Sequence, residues 1–458
     1  MVMDALQDGV RPRELWAWAM YDFANSGYTT VIITALFNAY FVAVVAGNAP
    51  WATFAWTTAL SVSYALIVLS APLVGAYADQ HAARKKLLAI TTVGCVLFTA
   101  LLWFAQPELL WLAILCVIAS NFFFGSGENL IAAFLPELAK TRALGRVSGW
   151  GWSLGYLGGL FTLGLCLVYV TWAEAHGHSA SEYVPVTMLI TAGIFALASL
   201  PTFLLLRERG VPHKEMGDRS QFYESQNRGL SPISLPLQAA WREVRQTLLH
   251  LRQFRDLARF LLCSLFYQAG IQAVITLAAI YASQAMGFST RETLLLIFAV
   301  NITAAVGAFL FGHVQDRIGH VRTIALTLIG WIATILLLWA APLLAEGPTL
   351  FWVAANLAGL CLGASQSAGR ALVGLLAPPS RLAEFYGFWG LSVKLSSIAG
   401  PMTYGIATWV SGGDHRSALL LTGSYFVVGL LLLFGVNVLR GRRAALRAAR
   451  LDAVASRP

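Results

Sequence analysis

The chain has 458 residues, 58% of them aliphatic, aromatic or cysteine and only 12% charged, where soluble domains run at about 45–50% apolar and about 25% charged. This composition argues against a soluble enzyme or binding domain. The formal charge of +9 suggests nucleic acid only until it is mapped: all but four of the 31 Lys and Arg fall on one side of the apolar blocks, the positive-inside pattern of a membrane protein with both termini cytoplasmic.

The apolar residues come in blocks of about 20 or more, enough to cross about 30 Å of hydrocarbon as a helix. Twelve spans are expected, at residues 15–46, 52–78, 86–105, 109–139, 147–171, 184–206, 258–286, 292–314, 322–341, 349–376, 382–410 and 417–439. The expected fold class is therefore an all-α membrane protein with twelve transmembrane helices in two six-helix bundles. The N-terminal half is placed at 1–206, a cytoplasmic linker at 207–257, and the C-terminal half with a basic tail at 258–458. The first apolar run is too long for a cleaved signal peptide and continues as a span.

In chain order, the first span opens with WAMYDFANSGYTT (Trp18–Thr30), which puts Asp22 and Asn25 inside an apolar run. Trp16, Trp18, Trp51, Trp103, Trp172 and Trp409 stand at span ends and are expected to be interface anchors. After the second span comes GAYADQHAARKK, with Gly75, Asp79 and Arg84. The fourth span carries Glu128. The fifth carries SGWGWSLGYLGG, where Gly151, Gly155 and Gly159 make a small-residue face for a close helix contact. Trp150 and Trp152 beside them are read as packing rather than ligand stacking. The linker repeats an apolar face at Leu237, Trp241, Val244, Leu248 and Leu251 among arginines, as in a helix lying on the membrane surface.

In the second half, the seventh span adds Gln268 and Gln272. The eighth is followed by GHVQDRIGHVR, with Gly312, Asp316 and Arg317. Gly75 to Gly312 and Asp79 to Asp316 are both 237 residues apart. This repeat marks two fused halves, an architecture with its solute site near the midplane where they meet. Each aspartate can accept hydrogen bonds from a neighbouring helix N-terminus, so both motifs are expected to be conformational latches. Asp316-Arg317-Ile318-Gly319 is expected to be the better formed, since Gln80 and Ala82 replace Arg and Gly in the first copy. The tenth span holds Ser365, Gln366 and Arg370, and the eleventh Lys394 and Gly400-Pro401. Charged groups within spans usually face a cavity or a partner. Two acids (Asp22, Glu128) and two bases (Arg370, Lys394) can compensate one another, or serve solute binding and coupling together with Asn25 and the glutamines.

The paired motifs resemble the cytoplasmic signature of the major facilitator superfamily. The first-span stretch, AFLPELA (Ala133–Ala139), SGWGWSLGYLGG and EFYGFWGLSVKLSSIAGP (Glu384–Pro401) resemble its vacuolar-effluxer-like branch, named for autophagy-related amino-acid exporters. That resemblance implies alternating access, with helices 1, 4, 7 and 10 lining a central cavity. Asp22, a carboxylate inside the first of these helices, is the candidate proton-coupling acid, and Glu128, deeper on the fourth, is its competitor. The resemblance also implies secondary transport of a small polar solute, with amino acids or related metabolites and protons among the candidate partners besides membrane lipids. Export of amphipathic compounds, or a sensor that has lost transport, are the alternatives. No phosphate loop, metal-ligand cluster or catalytic triad stands in the sequence, so no enzyme activity, metal or cofactor is expected. The cell membrane of a bacterium is the expected location.

Overall fold

A computed structural model describes residues 3–47, 49, 51–209, 253–286, 288, 290–412 and 414–455. In lipid every backbone polar group must be bonded within the chain, which leaves apolar blocks of this length only the helix. The helices are α1 (Pro12–Val45), α2 (Ala52–Gln80), α3 (Arg84–Leu101), α4 (Leu110–Ala132), α5 (Leu144–Ala175) and α6 (Ala180–Leu205) in the first half. The second half has α7 (Arg255–Met286), α8 (Thr290–Ile318), α9 (His320–Ala340), α10 (Gly347–Leu376), α11 (Leu382–Val410) and α12 (His415–Leu433). A further helix, α13 (Val438–Ala455), follows.

Eleven of the first twelve are long and apolar enough to cross a bilayer. α11 has 29 residues but dilutes its apolar run with Ser392, Ser396, Ser397, Lys394 and glycines. The twelve-span expectation holds with shifted ends. α6 starts four residues before the expected 184, because Ser179 and Glu182 form a capping box there. Most of the expected linker, including its amphipathic stretch, lies outside the described residues.

α1 is not a regular helix. Its α-helical part ends at Tyr28, and π-helical turns follow at Thr29–Ala35 and Phe41–Val45. The run Thr29-Thr30-Val31-Ile32-Ile33-Thr34 is β-branched, which crowds an α-helix. Its threonine hydroxyls donate back to carbonyls at Asn25, Ser26 and Thr29. Such π segments often mark functional positions.

Within the first half, α1 packs on α5 and α6, and α4 on α2 and α3. Within the second, α8 and α9 pack on α10, and α7 on α11 and α12. The halves meet chiefly through α2 against α11 and α5 against α8, the exchange expected of an internal repeat that maps α2 onto α8 and α5 onto α11. Gln7 N–H donates to the Leu138 carbonyl (2.9 Å) and Arg442 donates to Thr141 Oγ1 (3.2 Å). Both described chain ends thus lie on one face of the bundle, the basic face that also carries Arg84, Lys140 and Arg146.

The repeat is visible in the backbone. Gly319 has φ 95° and Ala82, its counterpart 237 positions earlier, has φ 47°. The left-handed region costs an L residue roughly 1–2 kcal/mol, and glycine little. Ala82→Gly should therefore raise stability by up to about 1 kcal/mol after the added unfolded-state entropy is subtracted. A rise in melting temperature in detergent checks it, and a fall would mean that Ala82 does not hold this conformation.

Candidate functional site

The four intramembrane charges form two ion pairs, and each pair joins the halves. α1 starts at the basic face, and ten residues at 1.5 Å each bring Asp22 about 15 Å along it. There Arg370 Nη1 of α10 lies 2.7 Å from Asp22 Oδ2, with the two side chains 3% and 10% exposed. Arg370 also donates from Nε to Ser148 Oγ (3.1 Å) and from Nη2 to the Ser148 carbonyl (2.9 Å) on α5. Its guanidinium lies 4.7 Å from the Trp18 ring and 5.2 Å from the Trp152 ring, within cation–π range. Among the described residues, a second-half side chain is thus held by groups of the first half alone. Its backbone stays tied to its own half, where Tyr386 Oη donates to the Arg370 carbonyl (2.9 Å).

The glycine face of α5 makes the room. A Cβ at Gly151 would run into Asp22 Oδ2 and come within 2.6 Å of Arg370 Nη2. A Cβ at Gly155 would lie 2.9 Å from Ser26 Oγ. The small-residue reading of this stripe therefore holds, and α1 is what it approaches. One tryptophan expectation changes. Trp18 is no interface anchor: it is fully buried and donates from Nε1 to the Ile131 carbonyl (2.9 Å), because position 18 points inward with Asp22 one turn on. Trp152 packs as expected, and what it packs on is Arg370. Trp16, Trp51, Trp103 and Trp172 remain exposed.

The second pair is Lys394 Nζ of α11 with Glu128 Oε2 of α4 at 3.2 Å. The ammonium sits 5.6 Å from the Tyr64 ring and 5.5 Å from the Phe124 ring. Lys394 is 8% exposed but Glu128 26%, so this pair opens further than the first.

Gln268 Nε2 donates to Gln366 Oε1 (2.7 Å), a buried bond between α7 and α10 of one half. Gln272, one turn along, is half-buried and makes no hydrogen bond among the described residues. The structure does not gather it with the other two. Asn25 Oδ1 and Trp152 Nε1 are buried atoms with no hydrogen-bond partner among the described residues. Buried polar atoms are rarely left unbonded, so these two are candidates to meet a solute. Sequence reasoning found the charges. It missed Ser148, Tyr64 and Phe124, which carry no signal beyond their place on helices already singled out.

At the basic face, Gly75 and Asp79 both meet α11. A Cβ at Gly75 would collide with the Ala383 carbonyl of α11. Asp79 Oδ2 accepts from Glu384 N–H (3.0 Å), and its other oxygen lies 2.6 Å from Arg84 Nη2. Arg84 continues to Glu137. In the second copy Asp316 accepts from the N–H groups of Gly145 (3.0 Å) and Arg146 (3.1 Å) at the start of α5. Gly312 allows the approach, since a Cβ there would lie 3.0 Å from Gly149 Cα. Each aspartate thus caps a helix of the opposite half.

Arg317 does not share the contact. It is exposed and makes no ion pair among the described residues. Asp316 is already served by two α5 amides and by Arg146 Nε at 3.6 Å. The first motif carries the further charge pair, Arg84 with Glu137, and the second has glycine at its positive-φ position where the first has alanine.

The family described as "Vacuole effluxer Atg22 like" matches residues 50–446. The chain is 25% identical over 422 residues to the Bacillus subtilis protein described as the uncharacterized MFS-type transporter YxiO, covering 91% of this chain and 93% of that one. It is 26% identical over 314 residues to autophagy-related protein 22-1 of Aspergillus niger, covering 66% of this chain but only 48% of the fungal protein. Among solved structures, the MFS proton:xylose symporter XylE superposes with a TM-score of 0.70 at 14% identity, over 92% of this chain and 95% of that one. The last likeness speaks to the fold.

Proposed function

We propose, for a chain that belongs to the vacuole effluxer Atg22-like family and has the twelve-helix fold of the major facilitator transporters, that it moves a small polar solute by alternating access. The observation that carries this reading is Arg370, a residue of one half whose side chain, among the described residues, is bonded only to the other half. A fixed structural pair would need no such division, whereas a pair that must break when the halves part is placed this way. Breaking it unaided is costly, since a buried ion left without its partner loses roughly 3–5 kcal/mol. A solute that supplies the missing charge offsets that cost: an anionic group for Arg370 or Lys394, a cationic one for Asp22 or Glu128. Solute binding and separation of the halves are thereby linked.

In this reading the basic face is cytoplasmic in a bacterial cell membrane, both termini lie there, and the halves at 1–206 and 258–458 rock about the Asp22–Arg370 and Glu128–Lys394 pairs. Asp79 and Asp316 hold the cytoplasmic end shut. Amino acids and related metabolites carry the required charges. Glu128, the more open of the two acids, is better placed than Asp22 to exchange a proton with the cavity.

The test is counterflow in proteoliposomes with a pool of amino acids and small metabolites, with and without a pH gradient. Lys394→Ala is expected to weaken exchange of anionic and zwitterionic solutes at least tenfold and to spare neutral ones, as losing a charge-assisted contact of about 1.5–3 kcal/mol implies. Glu128→Gln should remove the pH dependence and leave exchange. No exchange of any solute by folded protein would leave a membrane sensor as the reading, and exchange of amphipathic compounds alone would leave the exporter.

A further inference from the structure

The second half does not end with its last span. α12 leaves the apolar layer at Leu433, Phe434 is 78% exposed, and α13 begins four residues later at Val438. α13 has two unlike faces. On one, Gly441 and Ala445 are buried against the bundle: a Cβ at Gly441 would lie 2.7 Å from Leu376 Cδ2 and 3.0 Å from Asp256 Cβ. Asp256 pins this face, accepting from Arg440 Nη2 (2.7 Å), Arg440 Nε (2.8 Å) and Asn437 N–H (2.8 Å). On the other, Leu439, Arg443, Leu446 and Arg450 follow one another at three- and four-residue steps, with Arg447 beside them, and all five are exposed.

The three outward arginines make no ion pair among the described residues, since Asp256 is taken by Arg440 and Arg442 donates to Thr141. Two leucines beside three unpaired arginines suit neither water nor the hydrocarbon core. They suit the headgroup layer, where an amphipathic helix buries its apolar groups and its cations meet anionic lipid. The position agrees, because a basic cluster that directly follows a span stands within reach of the membrane surface potential.

We propose that the outer face of α13 is a docking surface for anionic phospholipid headgroups, with Arg443, Arg447 and Arg450 as the phosphate contacts and Leu439 and Leu446 as the apolar footing. The occupant is a lipid surface rather than another protein, on the alternation of leucine with arginine and on the charge complementarity. Each arginine near an anionic surface contributes about fivefold to affinity, so three contribute on the order of 100-fold at low salt.

The full chain is placed in nanodiscs of phosphatidylcholine alone or with phosphatidylglycerol, and amide hydrogen exchange is followed over residues 438–450. Exchange should slow several-fold when phosphatidylglycerol is present, and high salt should reverse the effect. The Arg443→Gln, Arg447→Gln, Arg450→Gln triple variant should lose the difference, while the corresponding Lys variant, which keeps the charges, should retain it. Equal exchange in both lipids overturns the proposal. So does protection that follows protein concentration instead of lipid charge, the mark of a second copy on this face, or a Gln variant that behaves like the parent. None of these readouts depends on transport.

Discussion

Asp22→Asn is expected to lower the stability of the folded protein by roughly 3–5 kcal/mol, the cost of leaving a buried charge without its partner. The Arg370 guanidinium is 3% exposed and sits between two tryptophans, so it cannot turn to water when its carboxylate is lost. The amide still offers one acceptor, but the Coulombic attraction that offset burial is gone. Arg370→Met alone should be nearly as damaging, because it leaves Asp22 buried and charged. The double change, Asp22→Asn with Arg370→Met, should recover most of the loss, since a buried ion pair replaced by apolar and neutral groups of similar volume is often close to neutral. Thermal unfolding of the four proteins in detergent supplies the cycle. Additive losses would show that the two side chains do not act as a pair. Transport should be absent in all three variants, because the double change restores packing but not the charges that a solute would take over.

Gly149→Leu is expected to separate folding from function. A Cβ at Gly149 would overlap the Ala308 carbonyl and lie 2.8 Å from Gly312 Cα, across the α5–α8 contact between the halves. Backbone atoms on a neighbouring helix cannot give way as a side-chain tip can. If that contact opens and closes, each half keeps its own core. The wedge then only prevents closure at the basic face. The variant should fold, expose cysteines placed between the halves beside Asp22 and Glu128 to reagent from the basic face, and exchange solute at least tenfold more slowly, as a block of about 1.4 kcal/mol or more on one state implies. Gly363→Leu is the control. Its Cβ would run into the Ala304 carbonyl and lie 2.7 Å from Ala308 N, both on α8 of the same half, and overpacking there should prevent folding. If Gly149→Leu unfolds as readily as Gly363→Leu, the α5–α8 contact is a permanent core and the halves do not part along it.

Much was legible in the sequence because the bilayer imposes a one-dimensional rule. A segment either has about 20 apolar residues or does not cross, so the spans, the two halves and the basic face could be read off directly. The repeat of Gly75 and Asp79 at Gly312 and Asp316 was equally plain, since a fused duplication keeps its spacing. The four charges stood out because their burial is expensive. Which acid meets which base depends on how far each helix is rotated and how deep it sits, and no pattern within a helix records that. The pairs Asp22–Arg370 and Glu128–Lys394 join residues 348 and 266 positions apart. The same freedom turned Trp18 inward and left Arg317 outside the Asp316 contact, though both stood in the expected motifs. The backbone made the last choice: Ala82 takes a positive φ although it is no glycine, because the three residues between α2 and α3 must reverse the chain whatever stands there.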